Sequence, residues 1–339
     1  MDYTKVNIKA IYLKFGSDCN LNCKYCHAEH VPIKFNPEIL PVLKKLNLTR
    51  VNFGGGEPLL YWDKIKETVR YLGDGIQYKF VTNGVLLTND IVDFCNKHEI
   101  YCYISIDGIN SARDVSKSVR WDLIRRLWFC GHGVTIYREN QNIRETLESL
   151  TPIKERYLTV KPDIWSSFPN FVHSTSKTGL LSDRKLAVSF VRQITELTKE
   201  ALELFKNKGI MTMFLKSAYS RYVKETQIFG VNCCNDTFVA VLADGTVCVC
   251  PYTFEKVGDL FHLDEIDWKL IHKKYTRPAC SSCSLFNVCG NYCCANITDD
   301  ECYIMRALNK NIISLMQEYN ITSDDLEKSD VAKLRRVFK

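Results

Sequence analysis

The chain has 339 residues, long enough for one large α/β barrel or two domains and too long for a disulfide-knotted peptide. Hydrophobic residues at 46% and charged residues at 25% are those of a folded globular protein, which excludes wholesale disorder. Forty-five Lys and Arg against 39 Asp and Glu leave a charge of +6, too mild for a dedicated nucleic-acid binder.

Up to about residue 205, short apolar runs alternate with longer amphipathic ones. Strands are expected at Ala10–Phe15, Arg50–Phe53, Tyr78–Thr82, Tyr101–Ile106, Gly133–Tyr137 and Tyr157–Lys161. Helices are expected over roughly 36–46, 61–72, 88–98, 117–129 and 140–150, with one long amphipathic helix over 183–207. This repetition predicts an α/β fold on a parallel sheet, and six units fall short of the eight of a closed barrel.

The style changes after about residue 230. Thr237–Leu242 and Thr246–Val249 flank Ala243-Asp244-Gly245, a hairpin signal. The cysteine-dense stretch that follows has too few apolar residues for a core of its own and is expected to need metal to fold. A closing helix is expected over 304–319, ahead of a charged, loose tail after Asn320.

No run of ~18 uncharged apolar residues could span a membrane. The first residues carry charges where a signal peptide would be apolar, so a cytoplasmic protein is expected. In a reducing compartment its 16 cysteines point to metal rather than to disulfides. Cys95, Cys102 and Cys130 share no spacing and are expected to be inert buried thiols.

Cys19, Cys23 and Cys26 form CxxxCxxC directly after the first strand. Three thiolates can hold three irons of one [4Fe–4S] cluster and leave the fourth iron open to a substrate. The alternative is a zinc site completed by His27 or His30.

Further motifs follow at strand ends: Gly55-Gly56-Glu57-Pro58, then Thr82-Asn83-Gly84, then Ser105-Ile106-Asp107-Gly108. With CxxxCxxC and the aromatic Tyr25 before its third cysteine, the series resembles the radical S-adenosylmethionine (radical SAM) superfamily. The resemblance implies a partial (β/α)6 TIM-like barrel that binds a [4Fe–4S] cluster and SAM. It assigns SAM contacts to Tyr25, Gly55, Gly56, Glu57, Pro58, Asn83, Ser105 and Asp107. Many relatives carry an arginine where this chain has Lys117, so that contact falls to Lys117, or to Arg126 or Arg138.

The second cysteine group reads Cys234–x10–Gly245–x4–Cys250, then Cys280–x2–Cys283–x5–Cys289–x3–Cys293, then Cys302. It resembles the seven-cysteine SPASM domain, a small cysteine-rich module with a β-hairpin. A zinc ribbon fits Cys280 and Cys283 but not the later spacings. The resemblance implies two auxiliary [4Fe–4S] clusters, three in all. Cys280, Cys283, Cys289 and Cys302 would hold the distal one, and Cys234, Cys250 and Cys293 the proximal one. Cys248 shares a strand face with Cys250 and is the better candidate for the missing ligand, with Cys233 second; if neither ligates, one iron is open and could bind substrate. The expected division is barrel 1–207, SPASM domain 208–304, helix and tail 305–339.

The implied activity is hydrogen abstraction by a 5′-deoxyadenosyl radical from a ribosomally made peptide or a protein, leading to a thioether or carbon–carbon cross-link or an oxidation. A sulfatase-type formylglycine maturase is weaker, because those relatives carry an aspartate where this chain has Pro251. An Fe–S electron-transfer protein without catalysis is weaker still, given the intact motifs. A flavodoxin or ferredoxin is the expected electron donor. The first strand begins near residue 8, so no leader-recognition domain is expected ahead of it. A leader-bearing precursor would be met by the barrel, with Trp165, Tyr252 and Phe254 as groove candidates, or by a separate leader-binding protein.

Overall fold

A computed structural model describes residues 7–23, 26, 32–106, 120–136, 141–148, 167–171, 184–224, 237–248, 255–275, 278–289 and 299–328. Six strands lie side by side in chain order: β1 (Ala10–Lys14), β2 (Arg50–Gly54), β3 (Gln77–Thr82), β4 (Tyr101–Ser105), β5 (Cys130–Ile136) and β6 (Ser167–Phe171). All are parallel. The sheet stays open, with β6 at one edge.

The other flank of β1 is taken by β7 (Phe238–Leu242), in parallel register from Ala10↔Phe238 to Lys14↔Leu242. Beyond it run β8 (Thr246–Cys248) and β9 (Lys256–Asp259), both antiparallel to their neighbours. The expected hairpin is therefore present, turning at Gly245 with φ of 99°, a backbone region glycine reaches without strain. It joins the same sheet as the six parallel strands.

Side chains alternate across this sheet. Ile11, Leu13, Val51, Phe53, Phe80, Ile104, Val134 and Val241 point to one face and are buried in the main core. Covering helices α1 (Ile39–Lys45), α2 (Trp62–Leu72) and α3 (Asn89–Lys97) add Leu43, Val69 and Val92 to it. Helix α3 starts where Thr88 Oγ1 accepts the Ile91 N–H at 3.3 Å. Tyr12, Asn52, Lys79, Tyr101 and Tyr103 occupy the inner face and are only half-buried.

The helix expected over 117–129 is shorter within the described residues: α4 covers Trp121–Ile124. Asn96 explains the stop. Its amide donates to the Arg126 carbonyl at 2.9 Å and its oxygen accepts from the Trp128 N–H at 2.8 Å, turning the chain into β5. That strand starts at Cys130, ahead of the expected Gly133. The strand expected at Tyr157–Lys161 lies outside the described residues, and the sixth described strand is β6.

Helix α5 (Ile143–Glu148) precedes the long amphipathic α6 (Arg184–Lys208). An unexpected helix follows, α7 (Met213–Tyr222), capped by Thr212 and buried at Phe214, Leu215, Ala218 and Tyr219. The short α8 (Trp268–Tyr275), α9 (Pro278–Ser281) and α10 (Phe286–Cys289) lead to α11 (Asp299–Glu318), which opens ahead of the expected start. The tail is not loose through residue 328. In α12 (Ser323–Lys328) Leu326 is buried, and Glu327 accepts from the Tyr219 hydroxyl at 2.9 Å. No described helix is long and apolar enough to cross a membrane.

Candidate functional site

Parallel α/β sheets gather their chemistry at the carboxyl ends of the strands. The chain leaves β1 through Ser17 and Asp18 into the first cysteine loop, which passes directly under the Gly55–Pro58 turn after β2. Gly56 makes that approach possible, because a Cβ there would collide with the Ser17 and Asp18 carbonyls. The Glu57 N–H donates to the Asp18 carbonyl at 2.8 Å.

Glu57 itself is buried, at 1% exposure. One carboxylate oxygen accepts from the Thr82 hydroxyl at 2.6 Å and the Leu59 N–H at 3.1 Å, and the other from the Asn83 N–H at 2.9 Å. The side chain thus locks the ends of β2 and β3 together. Asn83 continues the network by donating to Asn20 Oδ1, inside the cysteine loop, at 2.8 Å. The Asn83 amide oxygen accepts from the Val85 N–H at 3.0 Å.

Tyr61 fixes the loop from its other side. Its hydroxyl donates to Asp18 Oδ2 at 2.8 Å and accepts from the Asp18 N–H at 3.1 Å. Burial, with Asp18 beside it, pushes its pKa up to about 12. Sequence reasoning missed Tyr61, Asp18 and Asn20 and gave Thr82, within its motif, no role, because their contacts join positions far apart in the chain.

Cys19 and Cys23 are half-buried and Cys26 is exposed. Burial pushes the Cys19 thiol up, with Glu57, Cys23 and Cys26 adding to the effect and the Leu21 N–H opposing it. Three mutually repelling thiolates near a buried carboxylate call for positive charge, which iron supplies. The Ser17 hydroxyl, beside Gly56, is buried with no hydrogen-bond partner among the described residues. Among the described residues, no three Cys, His, Asp or Glu close tightly enough for a single metal ion. Three thiolates can hold three irons of a cubane cluster and leave the fourth iron without a protein ligand, and the donor set fits such a cluster. His27 and His30 lie outside the described residues.

The second region is built differently. Cys280, Cys283, Cys289 and Cys302 line one cavity of about 570 Å³ between α9, α10 and the start of α11. Arg184, Arg306 and Lys310 share its wall with Asp299, and Arg184 is ion-paired with Asp300 at 3.3 Å, which leaves Arg306 and Lys310 as the cations set against the thiols. Cys248 is buried, pairs with Ala240 across β7, and packs with Ala240 and Leu242 against Tyr12. It therefore faces the same side of the sheet as Tyr12.

Ser105 ends β4, half-buried. Tyr25, Asp107, Lys117, Arg138, Cys233, Cys234, Cys250, Pro251 and Cys293 lie outside the described residues, as do Trp165, Tyr252 and Phe254. Arg126 is engaged elsewhere, in an exposed ion pair with Asp93 at 2.8 Å. Cys95 and Cys102 are buried and Cys130 half-buried, and burial drives the Cys102 thiol strongly up, the opposite of a reactive thiol.

Residues 13–128 match the radical SAM superfamily. A radical SAM cyclopropyl synthase, TigE, of Paramaledivibacter caminithermalis is 22% identical over 96% of this chain and 78% of its own. Native anSMEcpe with bound AdoMet and Cp18Cys peptide shares the fold at TM-score 0.67 and 18% identity, over 92% of this chain and 99% of that one. Streptococcus suis SuiB bound to precursor peptide SuiA aligns at TM-score 0.59 and 15% identity, over 85% and 72%. At these identities the two structures carry the fold alone.

Proposed function

We propose that this chain, an enzyme with a radical SAM domain over residues 13–128, modifies a ribosomally made peptide using three [4Fe–4S] clusters. The observation that supports this most is the cavity lined by Cys280, Cys283, Cys289 and Cys302, a four-thiolate set apart from the first cysteine loop. Solved structures of the same fold hold peptides.

Cys19, Cys23 and Cys26 would hold the first cluster and leave one iron for SAM. When bound, that pair supplies a 5′-deoxyadenosyl radical. The chain's own work is placement. Gly56 lets the glycine turn lie against the cysteine loop, and Glu57 and Asn83 hold the strand ends where the ligand is met. Cys280, Cys283, Cys289 and Cys302 would hold the distal cluster. Cys234, Cys248, Cys250 and Cys293 would hold the proximal one, with Cys248 on the inner side of the sheet. Lys117, Tyr25, Ser105 and Asp107 stay assigned to SAM by resemblance. A flavodoxin or ferredoxin is the proposed electron donor, a separate leader-binding protein the proposed helper, and the cytoplasm the proposed location.

The test is anaerobic turnover with a short peptide encoded beside the gene. Expected are 5′-deoxyadenosine and a peptide changed in mass. Release of 5′-deoxyadenosine with an unchanged peptide would falsify the reading. Iron and sulfide should each reach about twelve per chain, four per cubane.

A further inference from the structure

Among the described residues, strands β1 to β8 bring no acid to the inner face of the sheet, and Asp259 of β9 stands at its far edge. Arg50 and Lys79 nevertheless stand on that face, on neighbouring strands, in pairs Arg50↔Gln77 and Asn52↔Lys79. Lys14 adds a third cation to the same face, at the end of β1.

Arg50 and Lys79 have aromatic rather than acidic company. The Arg50 guanidinium lies 5.7 Å from the Phe238 ring centre. The Lys79 ammonium lies 5.6 Å from the Tyr101 ring and 5.3 Å from that of Tyr103. Such faces steer a cation without neutralising it. Burial lowers the pKa of both groups, and Arg50 lowers that of Lys79 further. Neither makes an ion pair among the described residues. Arg50 Nε and Asn52 Oδ1 are buried without a hydrogen-bond partner among the described residues.

Two half-buried like charges are a standing cost, because each loses water and repels the other. An oxyanion between them would relieve both losses at once and satisfy the Arg50 N–H. The face opens to solvent next to Lys79: Val81, two residues on along β3, is 44% exposed although its strand lies between two neighbours.

We propose that Arg50 and Lys79 form an anion subsite on the inner face of the sheet that takes a carboxylate of the substrate peptide, from an acidic side chain or the C-terminus. The subsite rests on the peptide reading above and adds substrate chemistry to it: the modified segment carries an acid a few residues from the reacting position. Lys79 and Arg50 supply charge, and the tyrosine and phenylalanine rings hold their heads in place.

The test is isothermal titration of the anaerobically reconstituted protein with N-acetylglutamate, N-acetylglutaminamide and inorganic phosphate as separate probes. N-acetylglutamate should bind and its uncharged analogue should not. Arg50→Gln and Lys79→Met should each weaken binding about tenfold or more, as loss of a charge-assisted hydrogen bond does. Arg50→Lys and Lys79→Arg, which keep the charge and guard against misfolding, should retain most of it. No binding of N-acetylglutamate to the unaltered protein, or binding that survives both neutral substitutions, overturns the subsite. Phosphate bound while N-acetylglutamate is ignored overturns the carboxylate assignment. Because no turnover is measured, an unmodified peptide alongside intact N-acetylglutamate binding would sink the maturase reading and leave the subsite standing.

Discussion

The two cysteine regions reach the same kind of donor set by opposite means. Around Cys19, Cys23 and Cys26 the polypeptide is held without help: Glu57 joins two strand ends, Asn83 reaches Asn20, and Tyr61 grips Asp18. Around Cys280, Cys283, Cys289 and Cys302 two four-residue helices surround a cavity. A loop beside a parallel sheet can be organised by the sheet. A stretch poor in apolar residues has to be organised by what it binds.

The sharpest way to break this contrast is Gly56→Ala. Its added carbon meets two backbone carbonyls that cannot step aside, so SAM cleavage should fall by at least ~100-fold, the scale of a site displaced by about an ångström. Chromatographic assay of 5′-deoxyadenosine checks it. Activity near that of the parent would mean the loop is looser than its hydrogen bonds indicate.

Removing iron by chelation should separate the regions next. Hydrogen exchange should rise strongly over residues 278–306 and little over β1 to β4 if the proposed distal cluster is held there, because its binding would then be folding energy. Equal exchange in both would erase the distinction.

Glu57→Gln tests the self-supporting half alone. One carboxylate acceptor becomes a donor facing an N–H or a hydroxyl, costing about 1–3 kcal/mol for a buried unmet partner. Urea unfolding of the cluster-free protein measures it. Tyr61→Phe should cost less, about 1 kcal/mol for a part-exposed hydrogen-bonded hydroxyl.

The smallest effect is alkaline. Tyr61 and Tyr78 both have pKa values raised to about 12, from 10 unperturbed. The folded state holds these protons more tightly, so stability is steady below pH 10 and declines as pH rises toward 12. The Tyr61→Phe variant should show a shallower decline in a pH series of melting temperatures.

Much of this architecture was readable from residue order, and the exceptions have physical causes. Strands β1 to β4 came out within a residue or two because their buried faces are runs of Val, Ile, Leu and Phe. Helix α7 went unread although Phe214, Leu215, Ala218 and Tyr222 repeat at helical spacing, because its overall composition is polar and aromatic. Helix α12 reads as a solvated charge run, and only the packing of Leu326 and the Tyr219 contact hold it down. The cysteine spacings are local and legible. The buried use of Glu57 is not: its partners Thr82 and Asn83 come 25 and 26 residues later.

The pairing of β7 with β1 has a consequence for synthesis and for fragments. The first strand made leaves one of its two ladders open until residue 238 has emerged. A fragment stopping at residue 207 would display a bare row of amides and carbonyls along β1, an invitation to self-association and precipitation. Cutting between the two cysteine groups should give an aggregating half rather than a miniature enzyme, and co-expressing the missing hairpin should restore its solubility.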